Sequence, residues 1–117
     1  MTKEELKDRT KIFAHRCVKL SLSLSEDGMF KYLKGQLIRS STSVAANYRA
    51  ACLAQSKKSF VAKLSIVIEE CDESLFWLQF ILDEKLMSEA KISSLIKEAD
   101  ELTAIFISSR KTASSNL

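Results

Sequence analysis

The chain has 117 residues, 46% of them hydrophobic and 28% charged, a net charge of +3, two glycines and no proline. Those proportions belong to one globular domain and exclude a disordered or low-complexity chain. So little turn chemistry also excludes an all-β sandwich or barrel, whose many turns call for glycine, proline and asparagine.

The first periodic segment runs from about Lys3 to Leu24. Thr2 and Glu5 have the spacing of a capping box, and Leu6, Phe13, Cys17, Leu20 and Leu24 fall on one helical face. Ser25-Glu26-Asp27-Gly28 interrupts the pattern. The second segment, about 29–53, carries Phe30, Leu33, Leu37, Val44 and Tyr48. Ser56 is a candidate N-cap for the third segment, about 57–83, whose stripe is Phe60, Leu64, Val67, Cys71, Leu75, Leu78 and Leu82. Ser88 is a candidate cap for the fourth, about 88–111, with Ile92, Leu95, Ala99, Leu102 and Phe106 inward. Thr112 to Leu117 is polar and expected to fray, which leaves 113–117 as a tail outside the bundle. Four long helices joined by short links predict an all-α, antiparallel up-down-up-down four-helix bundle over residues 1–112.

The start, Met1 to Asp8, is charged and lacks the apolar run of a secretory leader. The longest nearly apolar stretch, Leu75 to Leu82, falls well short of the roughly 20 residues of a membrane span. Cys17, Cys52 and Cys71 are odd in number and sit among apolar helical positions. They are expected as small buried hydrophobes in a reducing, cytoplasmic setting.

Two helices carry a second face. Opposite the third stripe lie Ile66, Glu73, Trp77 and Phe80, widened by Phe76. Opposite the second lie Gly35, Thr42, Ala46, Arg49 and Leu53, mostly small. Large aromatic groups facing water mark an interface, and small residues let another helix approach, so the chain is expected to self-associate through these two faces. Because the faces differ, the contact is expected to be heterologous and to close into a ring.

Charge is segregated along the chain. From Gly28 to Ile68 there is no acid, against Lys31, Lys34, Arg39, Arg49, Lys57, Lys58 and Lys63. From Glu69 to Glu101 there are ten acids against Lys85, Lys91 and Lys97. A hairpin turning near Ala54 and Gln55 sets Arg39 level with Glu70, and pairing of Arg39 and Arg49 with Glu69, Glu70 or Glu73 is expected. Lys31, Lys34, Lys57, Lys58 and Lys63 remain as candidate contacts to the phosphates of RNA or DNA, although no nucleic-acid motif accompanies them.

No catalytic, metal or cofactor site is expected. His15 is the only histidine, so a paired Glu-x-x-His di-iron site cannot be built. Glu69, Glu70, Asp72 and Glu73 point in different directions around a helix. There is no Gly-rich phosphate loop and no glycine elbow around a serine. Ser40-Ser41-Thr42-Ser43 lies mid-helix, where hydroxyls favour close packing. The chain is expected not to be an enzyme.

The run Tyr32-Leu33-x-x-Gln36-Leu37-x-Arg39-Ser40-x-x-Ser43-Val44-x-x-Asn47-Tyr48-Arg49-Ala50-Ala51, then Ser56 and Phe60-x-x-Lys63-Leu64-x-Ile66, resembles the bacterial four helix bundle protein family, also called 23S rRNA intervening-sequence proteins. Glu69-Glu70-Cys71-Asp72-Glu73-Ser74-Leu75-Phe76-Trp77-Leu78 resembles the branch ending in Glu-x-x-Glu-Ser-x-x-Trp-Leu. Many members carry Asn-Ile-x-Glu-Gly where this chain has Asn47-Tyr48-Arg49-Ala50-Ala51, so roles of that acid and glycine do not carry over. The resemblance implies an up-down bundle assembled as a ring, typically a pentamer, of largely unassigned function. That points to an oligomeric scaffold or adaptor that binds itself or another protein. The alternative it implies is a nucleic-acid-associated bundle, rRNA-linked or similar to the basic accessory subunit of retroelement reverse transcriptases. This chain is much less basic on balance than that subunit.

Overall fold

In the computed structural model, which describes residues 1–115 and 117, the regular elements are four helices: α1 (Lys3–Leu22), α2 (Gly28–Cys52), α3 (Lys57–Asp83) and α4 (Glu89–Ser114). No described residue lies in a strand. Short links make consecutive helices antiparallel. α1 packs on α2, α2 on α3, α3 on α4 and α4 back on α1, and neither diagonal pair meets among the described residues. The result is an up-down-up-down rod of 47 × 21 × 19 Å.

The helix ends follow from local hydrogen bonding. At α1 the Thr2 hydroxyl accepts the Glu5 N–H at 3.1 Å, and Glu4 and Glu5 complement the positive end of the helix. The Ser56 hydroxyl caps α3 by accepting the Ser59 N–H at 3.0 Å. Ser88 occupies the N-cap position of α4, but its side chain makes no capping bond. α1 ends at Leu22, two residues before the expected Leu24; the Leu24 N–H turns back to the Ser21 carbonyl, and Leu24 stays buried. α4 continues to Ser114, so Thr112 and Ala113 are helical, not frayed. After α3 the chain turns through Lys85 at φ 57°, and the Leu86 N–H reaches the Ile81 carbonyl at 3.1 Å. This left-handed closure satisfies the last carbonyls of α3.

The buried stripes of α1 and α4 are the predicted ones, with Thr10 filling the gap between Leu6 and Phe13. Its hydroxyl is satisfied by the Lys7 carbonyl at 2.9 Å. On α2, Leu33, Leu37, Val44 and Tyr48 are buried, and Tyr48 packs on Phe106 with ring centroids 4.9 Å apart. α3 is rotated relative to expectation. Its core line is Leu64, Val67, Cys71, Ser74, Leu78 and Ile81, while Phe60, Leu75 and Leu82 are only half-buried. The line steps by three and four, keeping one seam toward the neighbouring helices over the whole length.

Two expected outcomes follow. Phe106 is fully buried, so Phe106→Ala should lower unfolding free energy by about 3–5 kcal/mol in urea titrations. Burial pushes the Cys17 and Cys71 thiols up from 9.0 to about 12. Above pH 9 the unfolded chain releases these protons and the native one does not. Their contribution is therefore complete below pH 9 and is lost as pH rises toward 12. Stability of Cys71→Ser should fall less steeply over that window than that of the parent.

Candidate self-association surface

The surface is built on the contact between α2 and α3. At its centre the buried Ser74 hydroxyl lies 3.0 Å from that of Ser40 and donates to the Glu70 carbonyl at 2.9 Å. Small hydroxyl side chains let the two helices approach without stranding a polar atom. Among the described residues no buried side-chain nitrogen or oxygen is unpaired. The hydroxyl run thus serves packing: Ser40 and Ser41 are buried, Ser43 is half-buried, and the exposed Thr42 donates to the Ile38 carbonyl at 2.7 Å.

Arg39 spans the same seam. It donates to Glu70 at 3.1 Å and to Glu73. Glu73 also accepts the Trp77 indole N–H at 3.1 Å. Partial burial works to raise the Glu73 carboxyl, but the hydrogen bonds from Arg39 and Trp77 outweigh it and hold it below its ordinary value. Arg49 does not join this cluster, contrary to expectation. It is exposed on the other side of α2, beside Glu4 and Lys7 of α1.

The aromatic ridge rests on that clamp. Trp77 meets Tyr32 of α2 edge-on at 5.8 Å, Phe76 at 4.9 Å and Phe80 at 6.1 Å. Trp77 and Phe80, expected to face outward, are half-buried and pack against the core. The rotation of α3 accounts for this, since it swings them toward α2. The exposed members are Phe76 at 52%, Ile66 at 43% and Tyr32 at 58%. Tyr32 was not among the predicted interface residues; its place one seam away from Trp77 is visible only once the helices are paired.

Gly35, Thr42, Ala46 and Arg49 are exposed, as is Leu53 at 75%. A Cβ added at Gly35 would meet nothing within 4 Å. Next to this small face, α1 and α2 leave a groove of about 630 Å³. Ala14, Val18, Thr42, Ala45 and Ala46 lie along it, with Lys11, His15 and Arg49 among the charged and polar residues beside them.

The candidate phosphate contacts separate. Lys31, Lys57 and Lys58 are exposed and Lys63 is half-buried. Lys34 is not available to a phosphate. It is 5% exposed and its ammonium is 2.6 Å from Glu26, in the link between α1 and α2. The hydrogen bond from Lys34 holds the Glu26 carboxyl below its ordinary value. Among the described residues no group of three metal-ligating side chains converges. Among the described residues no helix is long and apolar enough to cross a membrane.

The model of one protein family, described as 23S rRNA-intervening sequence protein, matches residues 3–108, which include all of α1, α2 and α3 and most of α4. The chain belongs to the 23S rRNA-intervening sequence protein family. Among solved structures, this family member is similar to a Bacteroides thetaiotaomicron protein described as of unknown function and from the S23 ribosomal protein family. The two share 29% identity and superpose with a TM-score of 0.84, over 95% of this chain and 99% of that one. No curated protein matches the chain.

The Lys34–Glu26 pair gives a pH-dependent outcome. A depressed carboxyl contributes stability that is present above its unfolded value and is lost as pH falls through the folded one. Glu26→Gln should therefore melt below the parent at pH 7; the difference should begin to shrink as pH falls past the ordinary glutamate value of about 4.3 and vanish only below the depressed native one.

Proposed function

We propose that this intervening-sequence protein is a non-enzymatic scaffold that works as a homo-oligomer. The observation that carries the reading is the exposed ridge of Tyr32, Ile66 and Phe76 around Trp77, held in place by the Arg39–Glu73–Trp77 hydrogen bonds. Burying a large apolar side chain contributes about 1.5–3 kcal/mol, so a fixed ridge of this size favours a partner surface over water. The family resemblance adds a ring, typically of five copies. Light scattering on a size-exclusion column at micromolar concentration should give a mass of several chains, and Phe76→Glu should reduce it to one chain. A wild-type mass of one chain at 100 micromolar overturns the reading.

A second reading, binding of nucleic acid, has one observation in its favour. Lys57 and Lys58 occupy the first turn of α3, where the positive end of the helix dipole disfavours cations, and no acid is in that turn. Both are exposed. A position kept basic against local stability suits an anionic partner. Lys57→Glu with Lys58→Glu should raise stability by about 0.3–1 kcal/mol per site and abolish salt-sensitive binding of single-stranded RNA in anisotropy titrations. Absence of RNA binding by the parent at low salt removes this reading and leaves the scaffold.

A further inference from the structure

We propose that a slot between the start of α1 and the last turns of α4 binds a small amphipathic anion, an apolar chain ending in a carboxylate. Three cavities make up the slot, at the end of the bundle where α1 and α3 begin. One, of about 440 Å³, lies along Ala104, Ile105, Ser108 and Ser109 of α4. A second, of about 350 Å³, shares Leu6, Ser108 and Ser109 with it and reaches Ala113. A third, of about 360 Å³, shares Lys3, Phe60 and Ala113 with the second and opens beside the α2–α3 turn. These common residues set the three end to end, and each falls in the range of about 300–1,000 Å³ that small ligands occupy. The slot lies on the α1–α4 side of the bundle, opposite the α2–α3 seam that carries the ridge, so covering the ridge leaves it open.

The inner part suits an apolar chain. Leu6 and Tyr48, both buried, lie at its floor, with Phe60 and Ile105 half-buried beside them. Ala104, Ser108, Ser109 and Ala113 keep the α4 wall low, where larger side chains would fill the space. From Ala104 to Ala113 the slot runs about 13 Å along α4, at about 1.5 Å per residue. A chain of about ten carbons, at about 1.5 Å per carbon–carbon bond, spans most of that length.

The outer part suits an anionic head. The charged side chains that line the three cavities are Lys3 and Lys57, and among the described residues no carboxylate lines them. Both lysines are exposed, and among the described residues neither has a carboxylate within ion-pair distance. The acids in the first turn of α1 are engaged elsewhere, Glu4 with Lys7 at 2.6 Å and Glu5 with the Thr2 hydroxyl at 3.2 Å. The Lys3 ammonium stands 4.7 Å over the Phe60 ring, which holds one cation at the mouth of the slot. A carboxylate there meets two ammonium groups while its chain covers Leu6 and Tyr48. The larger groove between α1 and α2 offers no such single sign, since Glu4 and Asp8 line it together with its cations.

The test is calorimetric titration of the full chain with sodium decanoate, below its micelle concentration and at low salt. Decanoate should bind. Octanoate should bind about tenfold more weakly, since each buried CH₂ is worth about fourfold in affinity. Decanol, which lacks the charge, should also bind about tenfold more weakly or worse. Lys3→Glu changes an exposed residue in the first turn of α1, where an acid suits the helix end, and should weaken decanoate by about tenfold or more. Ala113→Trp should fill the slot and abolish binding; Ser109→Phe replaces it should the tryptophan unfold the helix, which circular dichroism reads. No binding of decanoate by the parent, or equal binding by Lys3→Glu and a folded slot-filling variant, overturns the slot as the site. Decanol bound as tightly as decanoate overturns the anionic head. Single-stranded RNA bound where decanoate is not would assign Lys3 and Lys57 to nucleic-acid phosphates, overturning the small ligand and leaving the nucleic-acid reading standing.

Discussion

The close approach of α2 to α3 at Ser40 and Ser74 sets the rotation of α3, and the outer surface follows from that rotation. Two small hydroxyls facing one another let the helices pack tightly while each oxygen keeps a partner. With Ser74 turned inward, Leu78 and Ile81 follow it into the core, and Leu75 and Leu82 are displaced to its edge. The same turn carries Trp77 against Tyr32, places Glu73 where it bridges Arg39 and the indole, and leaves Phe76 facing outward. A larger residue at 40 or 74 would separate the helices and undo the ridge as well as the core. This couples the stability of the bundle to the shape of the surface it offers.

The segregation of charge along the chain is largely spent inside the fold. Arg39 takes Glu70 and Glu73 across the α2–α3 seam, and Arg9 takes Glu98 at 2.7 Å and Glu101 at 3.2 Å where α1 meets α4. These pairs are partly exposed, so solvent screens them and each contributes modestly; their main effect is to fix which faces of the helices meet. The charges left over are the informative ones. Lys57 and Lys58 remain at one end, Lys11, Arg49 and the acid Asp8 beside the groove, and Glu69 and Asp72 on the outer side of α3.

The fold was legible because a three–four spacing of apolar residues leaves one helical solution, and because links too short to cross the bundle leave one topology. Arg39 opposite Glu70 followed from counting residues either side of the α2–α3 turn. The rotation of α3 was not legible. Leu75 outweighs Ser74 in any hydrophobic pattern, and only the serine on the facing helix makes Ser74 the inward residue. Lys34 was misplaced for a similar reason: its partner, Glu26, lies in a link and not on a helical stripe. The groove depends on Ala14 and Val18 of α1 lying beside Ala45 and Ala46 of α2, a juxtaposition that no single periodic stripe contains.

Trp77 is the only tryptophan in the chain and sits at the centre of the ridge, so its fluorescence reports directly on whether that ridge is covered. The decisive measurement is acrylamide quenching of Trp77 across a dilution series from about 100 micromolar to tens of nanomolar, with the mass followed in parallel. The account predicts that quenching rises and emission shifts to the red over the same concentrations at which the mass falls to one chain. Quenching and emission that stay constant while the mass falls to one chain would contradict it, because the ridge would then be equally exposed whether or not other copies are present.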